Sequence, residues 1–133
     1  MANAFYPTAL KKILDADIDF SADTIKIMLL DADAAYSASD EYLDDVNTDA
    51  VATSSALGTI TTTAGAFDAA DVTFTALTGS ACEAWVLFKD TGTASTSALI
   101  LWMDTKADAS SFSYTPNGSD FTIQFGASGV FTL

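Results

Sequence analysis

The chain has 133 residues, half of them apolar and 11% aromatic, which suits one domain with a single core and leaves little room for two. Eighteen acidic residues stand against five basic ones, a formal charge of −13 that repels phosphate backbones and anionic membranes and excludes the basic footprint of a nucleic-acid binder. No histidine, no arginine and one cysteine exclude a Ser-His-Asp or Cys-His arrangement, an imidazole-ligated metal, a guanidinium clamp and an internal disulfide.

The N-terminus has neither the basic start nor the apolar run of a signal peptide. No apolar stretch approaches the roughly 18 residues of a membrane span. The expectation is a soluble product made in a cytoplasm. The acidic excess reads as solubility by self-repulsion, with a basic protein partner or bound divalent cations as the sharper alternative.

The first predicted element is a short helix. Pro7 suits a first helical position, and Leu10, Ile13 and Leu14 follow at helical spacing with Lys11 and Lys12 opposite. Asp15, Asp17 and Asp19 then set acidic charge at the wrong end for the helix dipole, which favours a turn. Residues 23–30 alternate as a strand, Ile25, Ile27 and Leu29 on one face and Thr24, Lys26 and Met28 on the other. An acidic excursion over 31–47 follows. In it Ser39 is placed to cap one helical turn, with Tyr42, Leu43 and Val46 as anchors.

Residues 50–64 are rich in Ala, Ser and Thr, and 59–63 read as a strand on β-branching. Phe67, Val72 and Phe74 suggest one further short strand. Residues 82–89 and 98–104 form two dense apolar strands, the second apolar on both faces as a central strand would be. Pro116-Asn117-Gly118-Ser119 marks a turn into a strand over 121–125 with Phe121, Ile123 and Phe125 inward. Residues 130–133 suit a terminal edge strand. Short strands, many turns and little helix predict a mainly β fold: an antiparallel β-sandwich or jelly-roll-like single domain over 1–133, with a short N-terminal helix in an arm over about 1–15.

Catalytic and binding candidates are weak. Asp15-Ala16-Asp17-Ile18-Asp19 begins like a calcium loop, but the required sixth-position Gly is Phe20 and the twelfth-position Glu is Lys26. Carboxylate pairs for glycoside hydrolysis exist only as they do on any acidic surface, and the aromatics sit at core spacing. Cys82 opens an apolar strand and reads as a buried, inert thiol; Trp85 and Trp102 read as core. Asn117-Gly118-Ser119 matches a glycosylation sequon but is better read as turn chemistry. Tyr36, Tyr42 and Tyr114 are the aromatics placed on loops, where a glycan binder would need them. No catalytic residue, metal ligand or cofactor is expected.

One feature points outward. Phe5, Tyr6, Leu10, Ile13 and Leu14 lie close to one chain end and Phe131 and Leu133 at the other, where chains usually fray. Apolar side chains there need burial, against the domain or against a neighbour. These seven are the candidate subunit-interface residues.

The opening Ala-Asn-Ala-Phe-Tyr-Pro-Thr-Ala-Leu, the strand of residues 23–30 and the late Thr-Pro-Asn-Gly-Ser-Asp-Phe-Thr-Ile together resemble a family of small tailed-bacteriophage virion proteins, over essentially the full length. The resemblance implies a structural protein of the virion with no catalytic residue to carry over. It implies a capsid decoration (cement) protein on the outer head, or else a tail, neck or head-fibre component; a host-surface glycan-binding module is the third reading. The partners implied are the major capsid protein or another virion protein and further copies of the chain, a trimer being favoured. About 1,600 Å² of contact would make such an interface stable.

Overall fold

Two apolar, alternating segments set the centre of the molecule, whose computed structural model describes residues 3–106 and 108–133. The strands β2 (Ile25–Asp31) and β6 (Cys82–Lys89) pair antiparallel, Ile27 opposite Leu87 and Leu29 opposite Trp85. On the far side of β6 lies β7 (Leu99–Met103), and beyond it β1 (Ala4–Phe5); β3 (Ala50–Thr53) closes the other edge against β2. The sheet order is therefore β1-β7-β6-β2-β3, every pairing antiparallel.

Two ribbons complete the strands. β4 (Ala66–Phe67) pairs with β9 (Phe131–Thr132), and β5 (Val72–Phe74) with β8 (Phe121–Ile123). The helix α1 (Pro7–Leu14) starts on Pro7 as its sequence predicts. The chain is thus a mainly β, antiparallel, sandwich-like fold with a short N-terminal helix.

Both faces of the sheet are covered, which is why β7 is apolar along its whole length and β2 and β6 are apolar through their middles. Register and the two-residue period place Phe5, Leu101, Leu87 and Ile27 on one face together with Trp85 and Met103. There Phe5 meets Phe131 edge-on at 5.0 Å, Phe131 stacks on Phe67 at 5.1 Å, and Phe20 contacts both. Trp85 contacts Phe125 beside them. Val86, Met28 and Trp102 point to the opposite face, where the Trp102 ring meets Tyr36 and Tyr36 meets Tyr6. The buried side chains form one continuous cluster, with Ile25, Ile27, Leu29, Leu30, Val86, Leu87, Leu99 and Ile100 fully enclosed. Each contributes about 1.5–3 kcal/mol of burial.

The helix ends by rule. The Asp17 N–H bonds the Lys12 carbonyl and the Ala16 N–H bonds that of Ile13, a Schellman closure in which Ala16 takes φ 63°. Gly129 holds the β4–β9 ribbon together: a Cβ there would lie 2.6 Å from the Phe67 carbonyl oxygen.

Three expected elements differ. Residues 59–63 form no strand; Thr61 makes one isolated bridge to Asp68, and Thr59 has φ 51°. Thr59, Thr61, Thr62 and Thr63 are all exposed, so β-branching has no buried face to serve, and the strand of this region is β3 instead. Phe67, Val72 and Phe74 fall on two strands, because Phe67 pairs with Phe131 while Val72 and Phe74 pair with Ile123 and Phe121. The helical turn expected at Ser39 lies at Leu43–Asp45, because the Asp45 carboxylate accepts the Glu41 and Tyr42 N–H groups while the Ser39 hydroxyl bonds that of Ser37.

Candidate interaction surface

The seven terminal residues divide by burial. Tyr6 is fully enclosed in its own domain, its N–H bonded to the Ile100 carbonyl and its ring against Tyr36, so it is not a surface for a neighbour. Its hydroxyl has no hydrogen-bond partner among the described residues, and burial together with the nearby Asp40 pushes its pKa up and keeps the phenol neutral. Phe5 and Phe131 are half-buried against each other, and Ile13 packs on the core. Phe5, Tyr6, Ile13 and Phe131 are therefore stitched into the fold. What projects is Leu10 (40% exposed), Leu14 (86%) and Leu133 (61%), the large apolar side chains that stand out among the described residues.

A second feature lies on the Trp85 face. A cavity of about 540 Å³ opens between the sheet and the β8 and β9 segments. Trp85, Met103, Phe112, Ile123, Phe125 and Val130 form its apolar wall; Thr105, Lys106, Thr122 and Gln124 stand at its polar side. Sequence patterning assigns Trp85, Ile123 and Phe125 to inward positions but gives no sign that the two layers stand apart here. Its lining comes from β6, β7 and the segments around β8 and β9, which only the tertiary structure brings together.

Charge is unevenly committed. Lys26 pairs with Asp90 at 2.6 Å and Lys89 with Asp23 at 3.0 Å; Lys11 pairs with Asp15, and Lys12, over the Tyr42 ring, with Glu41. Lys106 makes no ion pair among the described residues; it acts on the Asp108 carboxylate only at longer range. Asp40 lies above the usual carboxyl range through burial and then the Asp45 charge, whereas the Glu41 and Tyr42 N–H groups hold Asp45 below it. The outward charge is thus strongly negative, and Lys106, the lysine outside any ion pair of the described residues, stands at the cavity.

The remaining sequence candidates find ordinary partners. In the calcium-like stretch Asp19 accepts the Ser21 N–H, and the Asp19 N–H bonds Asp23. Among the described residues no three His, Cys, Asp or Glu side chains converge as metal ligands, and no helix is long and apolar enough to cross a membrane. Cys82 is enclosed, and burial, with Asp31 and Glu83, pushes its thiol up to about 11. Trp85 and Trp102 are core, as their spacing predicts. The loop tyrosines are engaged: the Tyr36 hydroxyl bonds the Phe5 carbonyl, Tyr42 lies under Lys12, and Tyr114 stacks on Phe121 at 3.9 Å. No protein-family model and no curated protein matches this chain.

Proposed function

We propose that this protein is a non-enzymatic structural subunit of a tailed-bacteriophage particle, a decoration protein that binds the outer head surface and stabilises the shell. One observation carries this reading. Leu10, Leu14 and Leu133 project from a body whose apolar ends are otherwise built into its core. Exposed leucines on a well-packed, highly charged domain are what a docking subunit presents to its neighbours. The sequence resemblance supports the same role: its segments lie on the β1–α1 entry, on β2 and on the turn into β8. The major capsid protein is the proposed partner, with self-association into a trimer suiting a symmetric lattice site. The −13 charge favours a basic patch on the shell as the complementary surface.

Copy number per purified particle, measured by quantitative mass spectrometry against the major capsid protein, tests this role. A count near one per capsid subunit, or a simple lattice fraction of it, is expected. A count of roughly a dozen or fewer would assign the chain to the tail or neck, and absence from particles would end the virion reading.

A further inference from the structure

The exposed end of α1 and the cavity on the Trp85 face complement each other, and neither can serve the other within one molecule. The helix leaves the sheet at the end where Ile25, Lys89 and Leu99 lie, and the Lys89 ammonium holds the Asp17 carbonyl there, while the cavity opens towards the other end, by Asn3, Met103 and Thr105. The helix end offers an apolar knob, Leu10 and Leu14, followed by Asp17, whose carboxylate makes no ion pair among the described residues. The cavity offers an apolar wall of several leucine volumes and, beside it, Lys106, the lysine without an ion pair among the described residues. Apolar knob matches apolar hole, and a carboxylate outside any ion pair of the described residues matches an ammonium likewise outside any.

We infer that copies of this chain associate head to tail, the Leu10–Leu14 end of one helix seated in the cavity of the next copy with Asp17 facing Lys106. This deepens the proposed assembly role by naming the self-contact, and it rests on that reading for its biological setting. Because knob and hole are different patches at opposite ends of the sheet, the contact is heterologous: it closes into a ring or runs on as an open chain, and it does not make a two-fold dimer. Removing the Leu14 side chain from such a contact weakens association roughly tenfold or more. Net charge opposes assembly at low ionic strength, so the contact is strongest where salt screens repulsion beyond about 8 Å.

The test is the mass of the purified full chain by light scattering and sedimentation at physiological salt. Wild type is expected to form a closed trimer or larger ring. Leu14→Ser, which removes the knob, and Thr122→Trp, which fills the hole from an exposed position, should each be monomeric; Gln124→Trp is a second filler should Thr122→Trp fail to fold. An equimolar mixture of the knob and hole variants should give a one-to-one dimer, since each keeps one intact surface. Lys106→Glu should weaken the ring, and combining it with Asp17→Lys should restore it. A monomeric wild type, a two-fold dimer, or a Leu14→Ser protein that still assembles would overturn the inference. The particle role fails separately. A monomeric protein still found on particles at lattice copy number would leave that role standing, and a ring-forming protein absent from particles would end it.

Discussion

Phe131 decides whether the last strand packs into the core of its own molecule or serves a neighbour. Its ring contacts Phe5, Phe20 and Phe67 at centroid distances of 5.0, 5.5 and 5.1 Å, while β9 holds its backbone to β4. A fully buried Phe→Ala change costs about 3–5 kcal/mol. Phe131 is half-buried, so Phe131→Ala should cost about 2–3 kcal/mol, part of it from three lost aromatic pairs worth roughly 0.5–1.5 kcal/mol each at most. At this chain length that lowers the melting temperature by roughly 6–12 °C. Calorimetry and urea unfolding in the Leu14→Ser background would measure it, with the urea midpoint falling and the slope unchanged. Leu14→Ala, at a site 86% exposed, should stay within about 0.5 kcal/mol. A Phe131→Ala protein that melts with its parent would refute the reasoning and return Phe131 to an intermolecular role.

Other substitutions probe local features. Ser54→Ala should cost about 1–3 kcal/mol in denaturant unfolding, because the buried Ser54 hydroxyl accepts the Ile27 N–H at 2.9 Å and nothing else would take that place. Ala16→Gly should stabilise by about 0.5–1 kcal/mol, relieving a left-handed alanine at the helix end, and thermal melts would show it. Asp90 lies below the ordinary Asp range, first through its hydrogen bond from Lys26 and then that from the Gly92 N–H. Its folded pKa is thus below its unfolded one, so its contribution is complete above the unfolded pKa and disappears as pH falls through the folded value. Asp90→Asn should reduce the acid-side slope of stability against pH, read by urea midpoints across that range; an unchanged slope would remove Asp90 from the account.

How far the sequence reaches is visible element by element. Ile25, Ile27 and Leu29 alternate within β2, and the unbroken apolar run of β7 announces a strand covered on both faces; these patterns are local, and the sheet honours them. The threonines of 59–63 carry the same propensity with no face to bury, and there the local signal fails. The seven terminal residues were legible as a group needing burial. Their division was not, because whether Phe131 meets Phe5 or a neighbour depends on β9 returning to β4 across most of the chain.

By itself the sequence determined an acidic, mainly antiparallel β fold opening with a short helix, since composition, charge and period are properties of neighbouring residues. Only the tertiary structure decided which lysine lacks an ion pair among the described residues, which leucines project and where a cavity opens. Those depend on contacts between residues far apart in the chain, such as Lys89 with Asp23 and Trp85 with Phe125, and no local pattern encodes them.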